Sequence, residues 1–364
     1  MIDSDETLAR FLPTVQSAAW IALDTEADSL HAYPEKVCLI QISTVAGDDL
    51  IDPLAKLNLD PLLEALNDHV LIMHGADYDL RLFRKHHSFV PRAIFDTMLA
   101  ARLLGHRQFG LGNLVLHYLG ITLEKSSQKA DWARRPLTPK MEDYARNDTH
   151  HLKPLSDKLK LELQHKGRLA WHQESCDQLI EECAEEKLPD PDKVWRVKGS
   201  NILSRQSLGV LRELWRWREN EALAANRPPF FILSHETLIK IAAAVVGSSR
   251  YDDRAAQRAI PTVIDTLIPS RFSERRRSEL KLAIERGIQL AAHLQPHPLR
   301  SINRRQTDDE KRRFTDLQRR RDARAHELGI DATLIASKAT LLALAEDWDT
   351  NQNELMNWQS ELLR

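Results

Sequence analysis

LDTEADSL, residues 23–30, sets Asp24, Glu26 and Asp28 within five positions, directly on the apolar run WIAL. A strand leaving a core does not gather like charges unless something neutralises them, because neighbouring carboxylates repel. The strand period of two places Asp24 and Glu26 on one side, and Asp28 falls beyond the predicted end of the strand. Oxygen ligands at this density suit Mg²⁺ or Mn²⁺, whereas Zn²⁺ sites draw on His or Cys. An acidic strand end in a loop is the plainer alternative.

Around this stretch, AWIALDT, VCLIQIST, DDLID and HVLIMHG read as short strands. LDPLLEALN, DYDLRLFRKH, DTMLAARLLG and LGNLVLHYLG carry helical spacing of apolar residues. Three strands in quick succession before any convincing helix predict a mixed sheet with an antiparallel start, flanked by helices, hence an α/β domain. A long helix is predicted to open at Thr138 as N-cap with Pro139 in first position, and to kink or break near Pro154. Beyond residue 165 the pattern is helical, with linkers at EEKLPDPDKVW (185–195) and PHPLR (296–300). The expected division is an α/β domain over 1–170, a linker over 171–200, a helical domain over 201–295 and a second helical domain over 300–364.

Length and composition agree with this layout. The chain has 364 residues, 42% hydrophobic and 29% charged, which suits a globular protein of two or three domains. No apolar run approaches the roughly 18 residues of a membrane span, and MIDSDETLARFLP lacks the basic-then-apolar order of a secretory signal. Cys38, Cys176 and Cys183 are odd in number, far apart and without a CxxC, which fits a reducing compartment and argues against a disulfide framework and a thiolate zinc site. These features predict a cytoplasmic protein with no membrane partner. No GxxxxGK[ST] or GxGxxG is present, so no nucleotide cofactor is expected. Net charge is −2, yet residues 1–100 hold 7 Lys+Arg against 16 Asp+Glu (−9), and residues 201–300 hold 16 against 10 (+6). An acidic front half with a basic back half suits a metal site beside a polyanion-binding surface.

Further carboxylates extend the constellation. HGADYDLRLF (74–83) puts Asp77 and Asp79 at a strand-to-helix turn. Asp77 is the expected helix cap, which leaves Asp79 free. In YARND (144–148), Tyr144 and Asp148 are four apart and share a helical face; a buried phenol–carboxylate contact is the structural alternative.

The order DTE, HGADYD, YARND, with ADWARRPL before the last, resembles ribonuclease D and the wider four-acid (DEDD) exonucleases of the tyrosine subclass. The sibling subclass has histidine five residues before the final aspartate, where this chain has Asp143. The resemblance spans residues 15–165 and includes KSSQKADWARRPL (125–137), while PFFILSHETLIKIA is similar to the helicase-and-RNase-D C-terminal (HRDC) domain; the final helical unit departs further from that pattern.

It implies a ribonuclease-H-like sheet and a catalytic set of Asp24, Glu26, Asp79, Tyr144 and Asp148. The four acids would hold two Mg²⁺ or Mn²⁺, Asp24 bridging both, and Tyr144 would orient the attacking water. The implied activity is release of mononucleotides from RNA 3′ ends, tRNA precursors above all. The alternatives are a DNA-directed exonuclease of the same superfamily and a non-catalytic RNA-binding protein.

Three substrate contacts are candidates: Trp132 as a stacking surface, Arg135 (or Arg134) as a phosphate clamp, and His74 at the terminal nucleotide. Anchoring of its loop by Trp132, and a satisfied structural role for His74, stand beside these. His150 and His151 are neighbours on a helix and point in different directions, so they are not read as a metal pair. The RRR runs at 275–277 and 319–321 are either RNA contacts or solvated helix faces, and at least one of Trp215 and Trp217 is expected in the core.

Overall fold

The computed structural model describes residues 1–124, 127–186, 189–247, 253–299 and 306–364. Lys125 and Ser126 of KSSQKADWARRPL, Lys187 and Leu188 of the first linker and Arg300 of the second lie outside them.

VCLIQIST becomes β2 (Val37–Thr44), buried at every position because it sits between two antiparallel neighbours and is covered on both faces. Its neighbours are β1 (Ile21–Ala27) and β3 (Gly47–Ile51); β4 (Val70–Met73) and β5 (Ala93–Asp96) complete the order β3-β2-β1-β4-β5. β1–β2 and β2–β3 are antiparallel, while β1–β4 and β4–β5 are parallel. This is the mixed sheet with an antiparallel start that the strand spacing implies. β5 was not legible as a strand, because AIFD is too short to show alternation.

Eight helices accompany the sheet: α1 (Asp5–Gln16), α2 (Asp60–Leu66), α3 (Asp77–His87), α4 (Thr97–Leu104), α5 (Leu111–Leu119), α6 (Pro139–His150), α7 (Leu152–His165) and α8 (Leu169–Ala184). Leu23, Ile40, Ile42 and Leu71 point to one face and pack with Phe11 of α1, Leu62 of α2, Phe83 of α3 and Cys176 of α8. Cys38, Leu39 and Leu50 point to the other and meet Met141 and Ala145 of α6. All three cysteines are free and buried. Thr138 caps α6 by accepting from the Met141 N–H, with Pro139 in the first turn. The break falls at His151, before Pro154, which has no N–H to continue the ladder back to His150.

The chain forms two compact units, one of Met1–Asp28, Lys36–Glu186 and Arg305–Arg364, the other of Ser29–Glu35 and Lys187–Arg304. The second contains α9 (Arg205–Ala225), α10 (Pro229–Ile232), α11 (His235–Gly247), α12 (Asp253–Leu267) and α13 (Glu274–Ile288). Leu211, Leu214, Trp217, Ile241 and Ile284 share its core, with Trp215 partly buried beside it. Gly287 lets α13 lie against α9, since a Cβ there would stand 2.5 Å from the Val210 Cα.

The C-terminal helices α14 (Asp308–Leu328), α15 (Ala332–Ile335), α16 (Lys338–Glu346), α17 (Trp348–Asn351) and α18 (Asn357–Leu363) belong to the first unit. Leu317, Ile335, Leu341 and Trp358 form one core with Leu103 of α4, Val115 of α5 and Leu159 of α7. Their order repeats that of the other unit. A 21-residue helix ends on a left-handed residue (Asn226 or Gly329), a four-residue helix follows, and then a helix capped by serine (Ser234 or Ser337).

Both RRR runs are largely occupied within their own units. Arg275 and Arg276 bind Glu221, and Arg319, Arg320 and Arg321 bind Asp316, the Leu363 carbonyl and the Ala336 carbonyl.

Arg168, 6% exposed, joins two helix C-termini: Nη1 donates to Leu103 O at 2.6 Å and Nη2 to Leu328 O at 2.7 Å. A cation there complements the negative ends of α4 and α14. Replacing it leaves one buried and one partly buried carbonyl without a donor, so Arg168→Ala is expected to cost about 2 kcal/mol. Urea unfolding followed by tryptophan fluorescence checks this, and an unchanged midpoint would contradict it.

Candidate functional site

The site is built by a difference in strand length. Parallel pairing of β1 with β4 ends at Ala22 and Ile72, yet β1 continues to Ala27. Past Leu23 one edge of β1 therefore has no strand beside it, and the acids occupy that notch. Asp24 and Glu26 lie on the face covered by α6, which brings Tyr144 and Asp148 over them. Carboxylate oxygens of Asp24, Glu26 and Asp148 all lie within 4.8 Å of one another. Thr25 points to the opposite face, where its hydroxyl donates to Asp79 in the first turn of α3. The four acids thus come from three elements and both faces of the sheet.

Asp28 stands apart. It is fully buried beyond the end of β1, accepts from the Lys36 N–H at 2.9 Å and pairs with the Lys36 ammonium. It closes the neck of the loop between β1 and β2.

Asp77 does not cap α3. The N-cap is Ala76, and the Asp77 carboxylate pairs with Arg81 one turn on at 2.8 Å. The amides at this turn are served by Asp96, 1% exposed, which accepts from Gly75 N (3.1 Å), Ala76 N (2.8 Å), Met98 N (2.7 Å) and Leu99 N (3.1 Å). One carboxylate therefore caps α4 and fixes the turn that presents His74 and Asp79. The capping of α4 is readable from the sequence FDT, while the reach back to Gly75 is not.

His74 lines the cavity beside Asp24 and Glu26. The Thr97 hydroxyl donates to Met73 O at 3.0 Å and so accepts from His74 Nδ1 at 2.9 Å. This leaves Nε2 as the acceptor nitrogen of a neutral ring. Burial depresses the His74 pKa, with Asp96 opposing. Gly110, Leu111, Gly112 and Asn113 complete one wall of this cavity of about 390 Å³. A second cavity of about 550 Å³ adjoins it through Leu123, Glu124 and Tyr144, and Lys140, Arg146, His150 and His151 line it.

Trp132 and Arg135 are both engaged by the fold itself. Trp132 is 1% exposed, in the core with Leu39 and Met141, with its ring 6.0 Å from that of Tyr144. The Arg135 fork is filled by Asp52 (2.5 and 2.6 Å), Cys38 O (2.7 Å) and Trp132 O (2.8 Å). Both side chains are held by the fold, and neither lines the cavity among the described residues.

Electrostatics separate this cluster from an ordinary acidic surface. Burial raises Asp24 well above the usual carboxylate range, and Asp79, Asp148 and Glu26 add to the shift. Glu26 is pushed up to about 9 by burial, then by Asp148 and Asp79. Asp79 and Asp148 each rise to about 7, again chiefly through burial, against hydrogen bonds from Thr25 and Tyr144 respectively. Tyr144 is raised by burial and by the acids around it, so its phenol keeps its proton and serves as the donor to Asp148. Gln41, opposite Asp24 across the sheet and fully buried, has no partner for either amide atom among the described residues. All-oxygen donors that resist ionisation in the absence of a counter-charge fit a hard divalent cation.

A family model of 3′-5′ exonucleases matches residues 1–164, and one of the HRDC domain matches residues 207–246. The chain is 37% identical over 248 residues to a ribonuclease D of Zymomonas mobilis, a match covering 66% of this chain and 63% of that protein. It is thus aligned to just under two thirds of that relative's length. A ribonuclease D of Cronobacter turicensis is 31% identical over 252 residues, 68% of each chain. Among solved structures, Escherichia coli RNase D, an exoribonuclease involved in structured RNA processing, superposes with a TM-score of 0.75 at 25% identity, covering 100% of this chain and 97% of its own.

The pKa shifts fix the sign of a pH effect. A carboxyl with a raised folded-state pKa stabilises the fold below its ordinary value near 4, and that stability is lost as pH rises through the folded value. The melting temperature of the metal-free chain should therefore fall between about pH 5 and pH 9. Asp24→Asn should flatten the profile, and Mg²⁺ should restore the loss at the alkaline end. Scanning fluorimetry reads all three, and a flat profile for the metal-free parent contradicts the shared burial of these acids.

Proposed function

The chain belongs to the ribonuclease D family, and we propose that it is a divalent-metal-dependent 3′-5′ exoribonuclease releasing mononucleotides from RNA 3′ ends. The observation that carries this reading is the approach of Asp24, Glu26 and Asp148 to within 4.8 Å, with the charge of Asp79 acting on Asp24 and Glu26 from the opposite face. These acids would hold two Mg²⁺ or Mn²⁺. Such ions, when bound, supply charge to the attacking water and to the leaving 3′ oxygen.

The remaining work falls to the chain itself. Tyr144, protonated, fixes Asp148 and orients the water through its hydroxyl, with Trp132 packed behind its ring. His74 Nε2 accepts from a hydroxyl of the terminal ribose. Arg135 holds its loop against β2 through Cys38 O, so that α6 starts in register. No helix among the described residues is long and apolar enough to cross a membrane; the compartment we assign is the cytoplasm.

The substrate we assign is structured RNA, with 3′-extended tRNA precursors as the leading case. The HRDC-like unit, and the C-terminal helices that repeat its order, would supply nucleic-acid affinity. The division 1–170, 171–200, 201–295 and 300–364 belongs to this reading as a division of tasks along the chain, while in packing α8 and α14–α18 join the first unit.

A time course on a 3′-extended tRNA precursor and a matched DNA, with Mg²⁺ or with chelator, tests it. Mononucleotides should appear from the RNA only with metal. Asp24→Asn and Asp148→Asn should each lower the rate at least about 10³-fold, and Tyr144→Phe about 10²-fold. Full activity in excess chelator, or an active Asp24→Asn, would remove the metal assignment. Equal cleavage of the DNA would move the enzyme to the DNA-directed branch.

A further inference from the structure

The helical unit of α9–α13 contains a second crowd of like charge, of opposite sign to the first. A cavity of about 910 Å³ is lined by Arg196, Arg205 and Arg212, together with Trp195, His297 and a single carboxylate, Asp192. Arg205 and Arg212 are seven apart on α9 and so share a helical face. Their geometry is partly fixed by backbone. Arg205 Nη2 donates to Ala292 O (2.8 Å) and Gln295 O (2.9 Å), and Arg196 Nη2 donates to His297 O (2.9 Å).

What remains is a set of donors without acceptors. Arg205 Nε, Arg212 Nε and the indole Nε1 of Trp195 are all buried with no hydrogen-bond partner among the described residues. Glu213 stands 3.8 Å from Arg212 Nε, too far for a hydrogen bond. It is already engaged by Arg216 at 2.9 Å. Trp195 is 2% exposed, and the Arg196 guanidinium lies 4.3 Å above its ring. Burial depresses the Arg196 pKa, Arg212 adding to the effect and Asp192 opposing it. Three guanidinium groups against one carboxylate, with buried N–H groups in surplus, constitute an anion site.

The walls narrow the class of anion. Pro296, Pro298, Leu294 and Leu299 line the same cavity, the two leucines being more than half exposed. A bare phosphate needs no such apolar wall, whereas a nucleotide in a chain presents both a charge and a base face. The volume also lies in the range of pockets that take ligands of nucleotide size.

We propose that this cavity binds a phosphodiester segment of single-stranded RNA, with Arg205 and Arg212 on phosphate and the Pro296–Leu299 wall against a base. The proposal rests on the exoribonuclease reading for its ligand and extends it to a subsite built from residues of the other unit.

Arg212 is the residue to change, because its guanidinium holds no backbone carbonyl in place among the described residues. In the full chain carrying Asp24→Asn, which keeps the probe intact, fluorescence anisotropy with a 3′-tailed hairpin RNA gives Kd across a salt series. Arg212→Gln should weaken binding about fivefold and reduce the slope of log Kd against log salt by about 0.7, one phosphate contact to a single strand. Arg212→Lys, which keeps the charge and loses the planar donors, should weaken binding less than Arg212→Gln, and Arg212→Glu should weaken it beyond Arg212→Gln. Parent-like Kd and slope for Arg212→Gln would overturn the proposal. So would equal losses for Arg212→Lys and Arg212→Glu, since the effect would then be one of packing. Hydrolysis of the same RNA by the Mg²⁺-loaded parent, read in parallel, reports the exoribonuclease reading separately.

Discussion

Repulsion among four carboxylates in a notch largely withdrawn from water is the constraint around which the first unit is arranged. Left to themselves, Asp24, Glu26, Asp79 and Asp148 would separate or stay protonated. The fold permits no separation and only partial hydration, Asp24, Glu26 and Asp148 being half-buried and Asp79 buried. β1 outruns β4 and cannot retract, because Leu23 and Ile21 anchor it in the core. α6 is locked from its cap at Thr138, and Asp79 is drawn to Thr25. Stored electrostatic cost at a site held rigid by its surroundings is what a cation-binding centre requires.

The supporting residues act in a second layer. Asp96 serves four backbone amides and so sets where α3 begins. Trp132 from within the core, and the partly buried Arg135 through Cys38 O, brace Tyr144 and the start of α6, whereas the sequence suggests both as substrate contacts. Their chemistry, a large aromatic ring and a bidentate fork, is the same in either role. Only burial separates the two, and burial here depends on Asp52 and Cys38, more than eighty residues earlier in the chain.

That dependence explains what could be read from the sequence and what could not. Local periodicity carried the pairing of Asp24 with Glu26 on a strand and of Tyr144 with Asp148 on a helix, as well as the Thr138–Pro139 helix start and the antiparallel opening of the sheet. Asp77 escaped because α3 begins with no side-chain cap at all, the amides just before it being held by Asp96 from another element. β5 escaped because four residues show no period. The union of α14–α18 with α4, α5 and α7 escaped for a further reason: an amphipathic helix states that it has a buried face and not which partner covers it. Arg168, bridging Leu103 O to Leu328 O, is the polar counterpart of that union.

The uneven charge along the chain acquires a spatial meaning, with acids gathered in one unit and guanidinium groups with surplus donors in the other. The account stands or falls on whether the acids receive a cation. Calorimetric titration of Mn²⁺ into the full chain, repeated in buffers of different ionisation enthalpy, measures binding and proton release together. Saturable binding with net release of protons near neutral pH, weakened in Asp24→Asn, is the predicted result. Absence of saturable binding, or binding by Asp24→Asn indistinguishable from that of the parent, would contradict it.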